Sequence, residues 1–239
     1  MELKQIWGAS LFAVLLMSAP RAVADPSDQP ELFVAAERGG VVAVEAEHYA
    51  EQTEDQVRAW HRRGAGSDSA EAEPDGGESH ADGASGGAYL ELLPDTRRTH
   101  ADPLVPGENF SNEPGKLAVL HYPVRFETAG RYYVWARIFS TGTEDNGLHV
   151  GHNGTWPGHG RRMQWCAGKH AWRWESRQRT TENHCGVPHM IYLDIAEPGV
   201  HVVSFSMRED GVEFDKFLLI NRRLDTLEGP APEHDLASP

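Results

Sequence analysis

The sequence predicts an all-β protein, an antiparallel β-sandwich of the jelly-roll kind with long loops at one end. Three observations carry this expectation. Apolar and polar residues alternate in short runs, clusters of turn residues separate those runs, and helical spacing is sustained nowhere after the N-terminal segment. At 239 residues and 39% apolar content, the chain is long and apolar enough to close one sizeable core.

The elements follow in order. Lys4 precedes an apolar stretch over residues 6–17, and Ala22-Val23-Ala24 then offers small residues ahead of Asp25, so residues 1–24 read as a cleaved signal peptide. Residues 25–40 begin polar and Pro-rich as a leader, with residues 32–36 as an edge strand. The sandwich is expected over residues 41–221. Its first strand alternates, placing Val42, Val44 and Ala46 on one face and Glu45 and Glu47 on the other. Residues 61–87, rich in Gly, Ala, Ser, Asp and Glu, read as a loop before a short strand at 88–93.

Further along, Tyr122, Val124 and Phe126 alternate, Thr128-Ala129-Gly130 turns the chain, and residues 132–139 form an aromatic strand, which together predict a hairpin. Residues 191–195, the Glu197-Pro198-Gly199 turn and residues 202–207 predict a second hairpin, and residues 213–220 close the domain. Residues 222–239 are a polar, Pro-containing tail.

The formal charge of −14 argues against a nucleic-acid surface, because phosphate contacts come from Lys and Arg. No apolar run beyond the signal segment is long enough to span a bilayer, so the protein is expected to be secreted or periplasmic. In that oxidising setting Cys166 and Cys185, with 18 residues between them, are expected to form one disulfide. The 13 His residues show no paired helical spacing of a zinc site.

Glu45 and Glu47 are the sharpest chemical signal, because a strand presents residues i and i+2 on one face about 7 Å apart. Two such acids repel unless something neutralises them. Asp215 lies in the last strand, and first and last strands of a sandwich can be neighbours. Three carboxylates plus backbone carbonyls make a hard oxygen site that suits Ca²⁺; the competing reading is an exposed acidic strand face.

The segments Val44-Glu45-Ala46-Glu47-His48-Tyr49, Gly87-Ala88-Tyr89-Leu90-Glu91 and Gly211-Val212-Glu213-Phe214-Asp215-Lys216-Phe217 resemble the opening, second and final strands of carbohydrate-binding modules of families 6 and 35. The stretch from Asn146 to Phe217 includes Gly154-Thr155-Trp156-Pro157, Arg162-Met163-Gln164-Trp165-Cys166 and Ser206-Met207-Arg208-Glu209-Asp210-Gly211. It resembles modules appended to agarases, and is similar to the C-terminal module of family 115 glycoside hydrolases. The resemblance implies a structural calcium held by Glu45, Glu47 and Asp215, and a glycan cleft among loops at one end of the sandwich. It also implies Trp172 as the aromatic platform and Glu213 as a polar ligand contact two residues before the calcium Asp.

The residues themselves favour a sugar in the same region. Trp156, Trp165, Trp172 and Trp174 are interleaved with Arg161, Arg162, Lys169 and Arg173, and flat apolar rings beside polar groups suit sugar faces and hydroxyls. Trp172 and Trp174 share a strand face, with Trp174 and Trp135 assigned to the core. Trp156, Asn146, Lys169 and Arg97 complete the expected ligand set, Arg97 from a polar loop with Asp95, Arg98, His100 and Asp102.

The expectation is therefore a non-catalytic polysaccharide-binding module, slightly favouring galactan-type algal glycans, with separate glycoside hydrolases as conceivable partners. Two other readings stay open. A glycoside hydrolase would need two carboxyls about 5 to 9.5 Å apart, such as Glu209 or Asp210 with Glu144 or Asp145, and a polysaccharide lyase would use a Tyr or His base with an Arg neutralising a uronate. A structural or protein-interaction sandwich would need no sugar.

Overall fold

The computed structural model describes residues 33–53, 57–66 and 78–230. The expected signal segment, the first half of the expected leader and residues 231–239 of the tail lie outside the described residues. Within them there is no α-helix, and thirteen strands form two sheets.

The six-stranded sheet joins β1 (Ala35–Ala36), β3 (Glu51–Thr53), β6 (Val119–Phe126), β8 (Gly147–His152), β9 (Met163–Gln164) and β12 (Gly199–Met207). Its main order is β1-β6-β12-β8-β9, with β3 also on β6 and only β1 parallel to its neighbour. The seven-stranded sheet joins β2 (Val41–Glu45), β4 (Ala59–Gly64), β5 (Ala88–Leu93), β7 (Gly130–Phe139), β10 (Trp172–Glu175), β11 (Tyr192–Ile195) and β13 (Glu213–Ile220). Its main order is β10-β7-β13-β5-β4, with β11 on β7 and β2 on β13.

Alternation explains the core. Val42 and Val44 of β2, Leu90 and Leu92 of β5, Tyr122, Val124 and Phe126 of β6, and Val134, Ala136 and Ile138 of β7 all point between the sheets. Phe205, Phe214 and Phe217 close the centre with Tyr122, whose ring meets Phe217 edge-on at 4.8 Å. Each such buried aromatic contributes about 2–3 kcal/mol through burial alone. The first and last strands pair as expected, Glu45 opposite Lys216 and Val44 opposite Phe217.

Both predicted hairpins are corrected. β6 and β7 belong to different sheets, as do β11 and β12. The turns at 127–129 and 196–198 therefore pass the chain from one sheet to the other. A turn signal brings two strands back antiparallel but does not choose between pairing edge to edge and packing face to face.

Three local expectations also shift. β2 ends at Glu45, so Glu47 reaches its neighbours from a turn rather than a strand. Residues 59–64, expected partly as loop, form β4 against β5. Leu224 and Leu227 of the polar tail pack on the outer face of the seven-stranded sheet in a second apolar cluster with Trp174, Trp135, Ala43, Leu218 and Ile220. Trp135 and Trp174 thus pack outside the sandwich interior.

Candidate functional site at the loop end of the sandwich

One end of the sandwich gathers the connections 94–118, 140–146, 165–171 and 208–212, beside the ends of β5, β7, β10 and β13. Strand register builds a row across the outer face there. Trp172 stands opposite Phe139, Phe139 opposite Glu213, and Glu213 opposite Glu91. Directly paired residues share a face, so an indole, a phenyl ring and two carboxylates line up across four strands.

Segment 79–87 lies over this row. The His80 ring stacks on Phe139, with centroids 3.7 Å apart, and its Nδ1 lies 2.7 Å from Glu213 Oε1. Trp172 donates from Nε1 to the His80 carbonyl at 3.1 Å, meets Tyr89 and Phe139 edge-on, and stays half-exposed. Arg137 places its guanidinium 5.5 Å from the Trp172 ring and donates to the Gly83 carbonyl. A Cβ at residue 83 would come within 2.7 Å of the indole, so the close approach requires glycine. Glu91 is held by Arg63 at 2.5 Å. His80, Arg137 and Tyr89 were not singled out from the sequence. The available signal was Arg137 sharing strand parity with Phe139 in an aromatic strand.

Glu45, Glu47 and Asp215 gather next to this row. Asp215 accepts from the Ser85 amide at 2.7 Å and pairs with Arg137. Glu45 accepts from Ser85 Oγ at 2.9 Å and from Lys216 Nζ at 2.7 Å. Asp215 sits at a β-bulge, where the register shifts between Phe214 and Lys216, which turns it toward the first strand. Burial raises the Asp215 pKa despite Arg137. Burial also pushes Glu47 up to about 7, reinforced by the charges of Glu45 and Asp215.

Among the described residues no group of three or more His, Cys, Asp or Glu side chains is arranged to hold a metal ion. Glu45 and Asp215 turn instead to Lys216 and Arg137. Even so, Glu45 Oε2 and Glu47 Oε2 are shut off from solvent with no hydrogen-bond partner. Two orphaned carboxylate oxygens are donors of the chemical type a hard cation takes, whereas Asp215 and the other Glu45 oxygen are already neutralised by Arg137 and Lys216.

The remaining expected ligand residues separate into two places. Asn146, Lys169 and Arg97 surround the 140–146 turn and are engaged internally. Asn146 accepts from Gln164, Lys169 donates to Ser140 Oγ at 2.6 Å, and Arg97 pairs with Glu144. Trp156 lies on the other sheet, half-buried, against Gly115 and Gly151.

The acids of the enzyme reading do converge, since Asp145 acts electrostatically on Glu209 and the Asn146 amide donates to Glu209 at 3.1 Å. Both are saturated. Asp145 accepts from Ser140 Oγ, Thr141 N, Thr141 Oγ1 and Gly142 N, while buried Glu209 pairs with Arg208 at 2.5 Å. These bonds hold the loops together.

Cys166 and Cys185 form the expected disulfide, with Cα atoms 5.4 Å apart. Among the described residues no helix is long and apolar enough to cross a membrane.

No protein-family model matches the chain. It is 59% identical over 183 residues to an uncharacterized protein of Formosa agariphila, covering 77% of this chain and 44% of that one, so it spans less than half of that relative's length. Among solved structures it is similar to a Paenibacillus xanthan lyase (TM-score 0.43, 14% identity, 84% of this chain and 14% of that one). A family 35 carbohydrate-binding module from Clostridium thermocellum gives a TM-score of 0.41 at 13% identity, over 76% of this chain and 98% of that one. A Podospora anserina mannanase that carries a family 35 module gives 0.43 at 12% identity, over 78% and 29%. The sandwich assignment stands on the strand order and register described above.

Proposed function

We propose that this chain is a secreted, non-catalytic polysaccharide-binding module that uses the loop end of the seven-stranded sheet. The observation that carries this reading is the row of Trp172, Phe139 and Glu213, with His80 folded against it. A half-exposed indole offers a flat surface for the C–H face of a sugar ring, and the partly exposed His80 ring, held at Nδ1 by buried Glu213, offers a polar edge for hydroxyls. Trp172 and Glu213 are also the platform and polar contact implied by the sequence resemblance. Galactan-type algal glycans are the favoured ligands within this reading, and hydrolases encoded separately are its partners.

A structural calcium belongs to the same proposal. Glu45, Glu47 and Asp215 would hold it, with its charge adding to those of Lys216 and Arg137 in neutralising the three acids and tying the strand of Glu45 to the last. Affinity electrophoresis against a panel of neutral and charged polysaccharides tests the function. Retardation by one or more polymers, without new reducing ends or unsaturated products, supports it. Product formation without retardation overturns it.

A further inference from the structure

Although the chain carries 36 acidic against 22 basic residues, three arginines converge in a groove that shares no lining residue with the Trp172 row. Arg161, Arg162 and Arg179 line a groove of about 350 Å³ together with Gln178, Thr180 and, at its exposed edge, the single carboxylate of Glu182. Arg161 and Arg162 donate to the carbonyl and side-chain oxygen of Asn112, both at 2.9 Å. Among the described residues none of the three has a carboxylate within ion-pair distance, whereas neighbouring Arg177 and Arg208 are paired with Glu175 and Glu209. Like charges brought together without a counter-ion repel, so the arrangement has to be held by something else.

The backbone holds it. Arg162 adopts φ +57°, a left-handed conformation uncommon outside glycine. Its N–H donates to Nδ1 of fully buried His149 at 3.1 Å, while His149 Nε2 lies 3.1 Å from the Ser111 carbonyl. The Arg179 amide donates to the Arg162 carbonyl at 2.9 Å, and Gln178 Nε2 binds the carbonyls of Gly158 and Arg161 at 2.5 and 3.0 Å. A strained residue fixed by a buried histidine, presenting an uncompensated guanidinium beside two others, is a preorganised arrangement. Guanidinium forks match planar carboxylates and the oxygens of sulfate esters, and the Thr180 hydroxyl adds a neutral polar group.

We propose that this groove is a second glycan-binding site, specific for anionic substituents of a polysaccharide, either uronate carboxylates or sulfate esters. It rests on the polysaccharide-binding reading and defines a ligand class for it. His149 acts as a positioning residue by fixing the Arg162 backbone.

The test is affinity electrophoresis of the full chain against polygalacturonate, a sulfated galactan and a neutral galactan, at about 20 and about 300 mM NaCl to vary screening. Wild-type protein is expected to bind at least one charged polymer about tenfold tighter than the neutral one at low salt, with the preference shrinking at high salt. The arm that shows the preference identifies the carboxylate or the sulfate as the recognised group. R161Q/R162Q/R179Q should abolish the preference and leave neutral binding unchanged. R161Q/R179Q, which spares the strained residue and its contact with His149, gives the same reading if the triple variant melts early.

Charged polymers bound no tighter than the neutral one, or a preference retained in the variants, would overturn the groove while leaving binding at Trp172 intact. Equal competition by inorganic polyphosphate would overturn its assignment to glycans. Failure of the wild type to bind any polymer would instead remove the polysaccharide-binding reading itself.

Discussion

Trp172 and Glu213 both stand opposite Phe139, one on each side of β7, which puts an indole and a carboxylate from distant parts of the chain on one face of one sheet. Neighbouring strands lie about 4.8 Å apart, so the two backbones are separated by about 10 Å, a span that the His80 ring bridges by stacking on Phe139.

Trp172→Ala should weaken glycan binding by about tenfold, since one stacking contact is worth about 1–2 kcal/mol. Because the indole also packs on Tyr89 and Phe139, the variant should lose about 1–3 kcal/mol of stability. Titration calorimetry on protein shown to be folded separates the two effects. Unchanged affinity would reassign the platform, with Trp156 tested next.

Chelation should lower the melting temperature, and excess calcium should restore it by mass action. Elemental analysis of protein purified without chelator should find the metal. Asp215→Asn should lose the response to calcium. Protein shown to be metal-loaded that melts identically with and without EDTA would remove calcium from the Glu45, Glu47 and Asp215 cluster.

Core and outer-face aromatics should separate in unfolding experiments. Phe217→Ala, which opens a cavity at the centre of the sandwich, should cost about 3–5 kcal/mol. Trp174→Ala should cost about 1–2 kcal/mol, because that ring is half-exposed and bonds the Gly229 carbonyl through Nε1. Equal losses in urea melts would contradict the placement of Trp174 outside the sandwich.

The disulfide should leave no free thiol in unreduced protein by mass spectrometry. Replacing Cys166 and Cys185 by Ser should destabilise the fold by about 3 kcal/mol through the freed loop.

His149 should make stability fall in mild acid. Burial, aided by the charges of Arg208, Arg161 and Arg162, pulls its pKa down from 6.5 to about 3, so it is neutral in the fold and takes up a proton on unfolding below pH 6.5. Its stabilisation is complete above about pH 6.5 and is lost progressively as pH falls toward 3. Between pH 6.5 and 5 the wild type should lose about 2 kcal/mol more than His149→Gln. Parallel pH profiles would show that this histidine does not titrate between the two states.

Strand positions and faces were legible in the sequence because alternation at period two is a local property. Val42, Val44 and Ala46 are buried and Glu45 faces outward, as their spacing requires. The pairing of first and last strands and the cysteine partners could likewise be anticipated from residue type and order, whereas Trp172 and Glu213 were joined only by the resemblance to carbohydrate-binding modules. The tertiary structure alone decided which sheet each strand joins, because a turn such as Thr128-Ala129-Gly130 reverses the chain without choosing a partner. It also decided the counter-ions. Lys216 meets Glu45, and Arg137 meets Asp215, only through the register of β13 with β2 and β7, and Arg162 meets Arg179 only through a backbone bridge across a long insertion. Local sequence encodes which side of a strand a residue occupies, whereas charge pairing depends on strand register and on contacts between distant segments, which form only when the sheets close on a common core.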